Sequence, residues 1–520
     1  MTLELHLVAT LPVLAPLVTA IVVLLLDAAV PHRREPHLIL AAGGLAAGAL
    51  ATLPGLGQQA GDVRGAFCLA SGECLYAAGR AVSVLQLTAL LAALVVVVLA
   101  WRDWTAPGPG GGRESTGRTP VVVALALGAT GGVVAVPAAG DLGTLLVSLE
   151  LATLPTVALV ALVRTTWAAE RRARAVEGAV SLLTTSLVSF ALLALGAGLW
   201  VAATGTALLG GTTTAEHPAL LVLAAIFLVA GLAFKVSAVP FHAWTPITYA
   251  AAPLPVTAYL ATVSKVAALG GLVVVVRALG VVDGTTLVGI AILAAASMTV
   301  GNLVALTQTD TVRLLAWSTV AQAGWVLLPL ASLSSRAGHA AISYLVVYVT
   351  ATLLAFVVVI AAAGATATEH PAGRRPVTAL ASHQGLLRTR PLLALPLGLA
   401  LLALAGLPPA VIGVVAKIVA LRPVLGDGTW WLAVVAALNI ALGVAVYVRW
   451  LAVVAGPAHT VSHPAAPAPG SAEEPESDAA AEVDPVPADA AGRTPVRVWV
   501  LVALLTLALV VGSVLPVGIV

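Results

Sequence analysis

The sequence predicts an all-α, polytopic membrane protein, and three observations carry that prediction. Of the 520 residues, 60% are hydrophobic and only 9% charged, with a mean hydropathy of +1.06; soluble domains carry about a quarter charged residues. The apolar residues gather in uninterrupted stretches of about 20, the length at which a helix crosses ~30 Å of hydrocarbon. The short alternating segments of a transmembrane barrel do not occur. The net charge of +2 is uninformative about partners, and no nucleic acid is expected.

Fourteen spans follow in order: 5–30, 37–56, 80–101, 119–138, 141–163, 176–203, 217–242, 253–278, 284–305, 313–333, 339–363, 391–421, 430–454 and 495–517. The first lacks a small-residue cleavage site and is followed by more spans, so it reads as a retained helix rather than a signal peptide. Arginine sets the orientation. The odd-numbered loops, with adjoining helix ends, hold 17 arginines; the even-numbered loops hold 5, namely Arg64, Arg80, Arg277, Arg336 and Arg422. Odd loops are therefore expected in the cytoplasm and both termini outside.

The second loop contains "CLASGEC", with the only cysteines, Cys68 and Cys74. A disulfide between them is sterically and chemically allowed outside the cytoplasm; two free thiols are the alternative. The acidic, Pro/Ala-rich stretch 456–494 has no apolar periodicity and is expected to be a disordered linker from which the last helix hangs. The loop "APGPGGGRESTG" (106–117) reads as a second insertion.

The chain has 25 basic residues, of which only three are lysines: Lys235, Lys265 and Lys417. All three fall inside expected spans, and no loop contains one. Arginine stays charged under protein conditions, whereas a lysine taken out of water can lose its proton near neutral pH and so relay protons. Ionisable groups within spans cost at least ~2.5–3.5 kcal/mol each, which makes them functional candidates. The alternative is a lysine near a helix end that lifts its head to the interface. One carboxylate, Glu150 in "TLLVSLELATLP", lies well inside a span. An ion pair that only holds helices together is its structural alternative.

Two spans look broken. In "FKVSAVPFHAW" (234–244) Pro240 follows Lys235 by five residues, and in "AGLPPAVIG" (405–413) Gly406, Pro408 and Pro409 precede Lys417. Proline removes a backbone donor and clashes with the preceding turn. In lipid, the freed carbonyls must then be satisfied by protein or by water in a cavity. The breaks lie five spans apart, an odd number, so their helices run in opposite directions. This predicts two inverted five-helix repeats, with broken helices 7 and 12. The expected layout is 1–118 for helices 1–3, 119–278 and 279–455 for the repeats, 456–494 for the linker, and 495–520 for helix 14. Asn302, Ser318 and Gln322 line a hydrated route or act as interhelical glue.

At "FKVSAVPFHAWTPITYAAAPLPVTAYLATVSKVAALGGL" (234–272) the chain resembles the antiporter-like subunit N of bacterial proton-pumping NADH–quinone oxidoreductases, the respiratory complex I family, equivalent to mitochondrial subunit 2. The Val-Pro-Phe-His-x-Trp-Thr-Pro and Ala-Thr-x-Ser-Lys runs carry the likeness, as do "NLVALTQTDTVRLLAWSTVAQAGW" and "LAGLPPAVIGVVAKI". The resemblance implies a bacterial cytoplasmic (inner) membrane location. It also implies partners among the other membrane subunits: a neighbouring antiporter-like subunit, small membrane subunits and the lipid bilayer. NADH, FMN, iron–sulfur clusters and quinone are implied for the whole complex and no cofactor for this chain. The implied proton-transfer residues are Glu150, Lys235, Lys265 and Lys417, with His242, Ser181 and Gln322 as access positions. Three places depart from the family pattern: Ser181 stands for its helix 6 lysine, Ile247 for an acid, and Gln322 for a helix 10 histidine. The expected activity is proton translocation coupled to electron transfer in other subunits. The alternatives are a stand-alone cation/proton antiporter, disfavoured by the single midplane acid, and a structural subunit that transmits force without pumping.

Overall fold

The computed structural model describes residues 6–30, 33–59, 61–70, 72–105, 118–164, 167–210, 217–279, 284–366, 378–457 and 494–515. The loop expected at 106–117 and all but the edges of the linker expected at 456–494 lie outside these residues. Helices follow one another as α1 (Leu11–Ala29), α2 (Glu35–Leu56), α3 (Arg80–Thr105), α4 (Arg118–Ala135), α5 (Leu142–Ala161), α6 (Ala169–Thr204) and α7 (Pro218–Val236). They continue as α8 (Trp244–Ala251), α9 (Leu254–Ala261), α10 (Val263–Ala278), α11 (Gly284–Ala305), α12 (Thr311–Leu330) and α13 (Ala337–Thr366). The last are α14 (Leu386–Thr389), α15 (Pro391–Ala405), α16 (Val411–Gly426), α17 (Trp430–Ala455) and α18 (Val496–Val514).

Among the described residues, 12 helices are long and apolar enough to cross a membrane. The other two expected spans, 313–333 and 391–421, are occupied by α12 and by the pair α15 and α16. Span 7 is longer than its apolar run: α7 ends at Val236, and the chain resumes as α8 beyond the break. Span 8 is itself divided into α9 and α10 at Thr262.

One element stands outside the all-α expectation. Strands β1 (Arg64–Cys68) and β2 (Cys74–Ala78) form an antiparallel hairpin in register Cys68↔Cys74, closed by the Cys68–Cys74 disulfide. The hairpin is tied to the turn before α5, where Gly140 N donates to Leu75 O at 2.8 Å, and to α3, where Gln86 Nε2 donates to Tyr76 Oη at 2.8 Å.

One set of hydrogen bonds occurs twice. Asp141 caps α5 by accepting from Thr144 N at 2.9 Å; Asp310 caps α12 by accepting from Arg313 N at 3.0 Å. Beside each cap the chain exchanges two backbone bonds with the segment leading towards a broken helix. Leu142 N donates to Ala207 O (2.9 Å) and Leu209 N to Gly140 O (2.8 Å). In the second half Thr311 N donates to Thr378 O (2.8 Å) and Leu380 N to Thr309 O (2.7 Å). The side-chain oxygen of each Asp satisfies an N–H that the helix start would otherwise leave without a partner.

The buried core runs through the whole bundle, while long aliphatic side chains such as Val147, Leu154, Leu187 and Leu195 are exposed on its outside. In lipid that arrangement is the expected one, because hydrocarbon is as apolar as the core.

Candidate functional site

Breaking a helix inside a bundle leaves its last four carbonyls without intrahelical donors. Both breaks meet this demand in full, and the lysines are part of the answer. At the end of α7, Ala233 O accepts from Ala238 N (2.9 Å), and Phe234 O accepts from Trp244 Nε1 (2.9 Å). Lys235 O and Val236 O both accept from Lys265 Nζ, at 3.3 and 3.2 Å. Past the break, Val239 N donates to Ser297 Oγ of α11 at 2.9 Å.

At the end of α15, Leu402 O and Ala403 O accept from Gly406 N at 2.9 and 3.2 Å. Leu404 O accepts from Gln322 Nε2 at 3.3 Å, and Ala405 O accepts from Lys417 Nζ at 2.6 Å. Each break carries a cis X–Pro bond, Val239–Pro240 in one and Pro408–Pro409 in the other. The ammonium at each site sits at the negative end of a helix dipole and faces a tryptophan ring. Lys265 Nζ lies 4.9 Å from the Trp244 ring centre and Lys417 Nζ 5.0 Å from that of Trp325.

The third lysine has a carboxylate. Lys235 Nζ lies 2.8 Å from Glu150 Oε1, with side-chain exposures of 7% and 15%. The same nitrogen donates to Thr153 Oγ1 and Ser186 Oγ, both at 3.2 Å, so its three hydrogens match three acceptors. Ser186 Oγ in turn donates to Glu150 Oε2 at 3.4 Å. Beside Lys235 is a pocket of about 40 Å³ whose polar wall is Thr153, Thr156, Thr185, Ser186 and Ser264. A water needs ~10–15 Å³ on this measure, so the pocket has room for roughly three.

The structure thus gathers Glu150, Lys235 and Lys265 into one constellation and sets Lys417 apart, in the second half. Lys265 is 1% and Lys417 4% exposed, which excludes snorkelling of these two within the chain, and the Lys235 side chain is 7% exposed. The access positions fare differently. His242 lies in the turn between α7 and α8, half-buried, its ring 5.1 Å from that of Trp317. Gln322 is buried in a closed network: it accepts from Tyr344 Oη and donates to Tyr447 Oη (2.9 Å), which pairs with Ser318 Oγ (2.7 Å). Asn302 donates to Asn439 Oδ1 at 3.1 Å. These polar groups of α11, α12, α13 and α17 hydrogen-bond to one another across helices.

On α6 it is Ser186 that hydrogen-bonds the pair, while Ser181 lies five residues earlier. Five residues along a helix are ~7.5 Å, so the two serines cannot stand at the same level. Sequence reasoning missed Ser186 and Thr153. Thr153 was within reach, since three residues after Glu150 on a helix is the same face. Ser186 left no signal, because the meeting of α5 and α6 side chains is a tertiary fact.

Residues 139–443 match the family described as NADH:quinone oxidoreductase/Mrp antiporter, TM. The chain is 43% identical over 465 residues to NADH-quinone oxidoreductase subunit N of Salinispora tropica, covering 86% of this chain and 84% of that one. It is 38% identical to NADH-quinone oxidoreductase subunit N 2 of Streptomyces griseus, covering 84% and 80%. Among solved structures, a chain of respiratory complex I from Thermus thermophilus, determined with bound aureothin, superposes at a TM-score of 0.72. There the identity is 27%, and the match covers 97% of both chains.

Proposed function

Because this chain belongs to the NADH-quinone oxidoreductase subunit N family, we propose that it moves protons through the membrane arm of a respiratory complex by way of Glu150, Lys235 and Lys265. The observation that carries the reading is the 2.8 Å contact of Lys235 Nζ with Glu150 Oε1, made at a helix break whose carbonyls are held by Lys265. When the pair is closed, the carboxylate and two hydroxyls stabilise the ammonium. Pulling Glu150 away strands a cation in a poorly solvated site, and the proton leaves Nζ. The hydroxyl-lined pocket beside it supplies the route towards Lys265.

The chain's partners are the other membrane subunits of the complex, which meet its exposed apolar flanks. NADH oxidation and quinone reduction belong to other subunits; this chain's own residues hold and pass protons. The bacterial relatives support a cytoplasmic membrane location, and the arginine asymmetry supports an orientation with both termini outside. The repeated cap-and-loop bonds at Asp141 and Asp310 support the division into two inverted units, 119–278 and 279–455.

The second half supports a quieter role. Nine residues after Asp310, where Glu150 stands after Asp141, is Thr319, and Lys417 is held by a carbonyl rather than an acid. In this reading Lys417 exchanges with the outside or transmits electrostatic change.

The test is Lys235→Met in the assembled enzyme, reconstituted in vesicles and driven by NADH, with proton uptake read by a pH-sensitive dye. Protons moved per electron are expected to fall while the complex stays assembled. Parental stoichiometry would remove Lys235 from the mechanism.

A further inference from the structure

Ser237 is one of only two non-glycine residues with positive φ among those described, at +73°. It follows the last residue of α7 and is fully buried. The left-handed conformation brings Cβ against the backbone, so this helix-end position ordinarily goes to glycine. The second break follows that rule: its matching residue is Gly406, φ +78°. A serine at the first break therefore bears a steric cost that a glycine would remove, and backbone strain of this kind marks functional positions.

What the serine adds is one hydroxyl. Ser237 Oγ accepts from Lys265 Nζ at 2.6 Å, the shortest of that ammonium's three bonds. On its other side it meets Thr245 Oγ1, also at 2.6 Å. The other two partners of Lys265 are carbonyls, which accept and never donate. They suit an ammonium and offer nothing to the lone pair of a neutral amine. A hydroxyl has two lone pairs and one proton, and can do both.

The geometry points to Ser237 as a positioning residue whose hydroxyl serves both protonation states of Lys265. With Lys265 charged, Nζ–H and Thr245 Oγ1–H both donate to Ser237 Oγ, one to each lone pair. When Nζ has given up its proton along the path, the serine hydroxyl turns. Thr245 still donates to Ser237, and Ser237 donates to the lone pair of Nζ. No bond to carbon changes, and the protein atoms keep their places. Lys417, with Ala405 O at the corresponding break and no hydroxyl at residue 406, has no such device.

The inference rests on the reading that Lys265 takes part in proton transfer, and the experiment separates the two. Ser237→Gly, Thr245→Val and Lys265→Ala are made in the assembled complex in vesicles. For each, NADH-driven pumping in H2O and D2O and the thermal midpoint are measured. A purely structural serine predicts that Ser237→Gly, which relieves the backbone, is as stable and as active as the parent. The expected result is the opposite split. Ser237→Gly melts at or above the parental temperature yet pumps several-fold more slowly, with a larger H2O/D2O ratio, and Thr245→Val slows pumping in the same direction. Parental pumping and isotope ratio in Ser237→Gly, with pumping lost in Lys265→Ala, would overturn this inference alone. Parental pumping in Lys265→Ala would overturn the proposed function with it.

Discussion

Lys265 and Lys417 do the same structural task at two breaks: each ammonium lies on the final carbonyls of a helix interrupted inside the bundle, about 5 Å above a tryptophan ring. A chain whose loops use arginine and never lysine keeps its lysines where a compact ammonium must enter a narrow site lined by carbonyls. A planar guanidinium would have to spread five donors over the same space.

Gly406→Ala tests the second of these sites. A Cβ there would stand 2.8 Å from Lys417 Cδ and 3.3 Å from Nζ, and φ is +78°. The backbone term alone costs about 1–2 kcal/mol, and Lys417 must shift from Ala405 O. A lower thermal midpoint of the purified complex is expected. Gly413→Ala is expected to be worse, since its Cβ would run into the backbone oxygen of Ala403. Equal melting of both variants and the parent would show that the break is looser than described.

Glu150→Gln leaves Lys235 buried without its carboxylate. Removing one member of a buried pair costs about 3–5 kcal/mol, because the remaining charge has no compensation. The double variant Glu150→Gln/Lys235→Met is expected to regain most of that loss in thermal unfolding while remaining unable to pump. If single and double variants melt together, the pair contributes little to stability.

Asp310→Ala removes a cap and the acceptor of Thr378 Oγ1, 2.5 Å away. A cap of this type is worth about 1 kcal/mol. Hydrogen exchange at residues 311–314 is expected to speed up roughly fivefold on that figure, with Asp310→Asn less affected. Unchanged protection would count against the cap.

His383 gives a pH dependence outside the spans. Burial pushes its imidazole down to about 4 from 6.5, and its ring packs edge-on to Trp450 at 5.8 Å. The folded chain therefore keeps it neutral, while the unfolded chain takes up a proton near 6.5. Its contribution is present in full above pH 6.5 and is lost as pH falls towards 4, by about 3 kcal/mol in all. His383→Leu is expected to flatten the stability–pH curve across that window. An unchanged slope would assign the acid sensitivity elsewhere.

The membrane helices were legible because an apolar run of about 20 residues has few other fates. The breaks were legible because Pro240 and the Pro408–Pro409 pair cannot continue a ladder. Glu150 and the lysines stood out as ions among hydrocarbon. Three things were not readable. The β-hairpin hides in "RGAFCLASGECLYAA", whose small residues give no clear alternation. The role of Ser186 depends on how α5 meets α6. The Ser237 backbone, left-handed where glycine is expected, is set by contacts with Lys265 and Thr245 rather than by local preference.

The backbone bonds that clamp Asp141 to residues 207–209 join the foot of the helix carrying Glu150 to the segment that runs into α7, the helix carrying Lys235. Nine residues of helix, about 13 Å of stiff rod, separate that clamp from the carboxylate. A displacement of residues 207–209 would therefore reach Glu150 through the rod of α5 itself, with no change in the chemistry of acid or base.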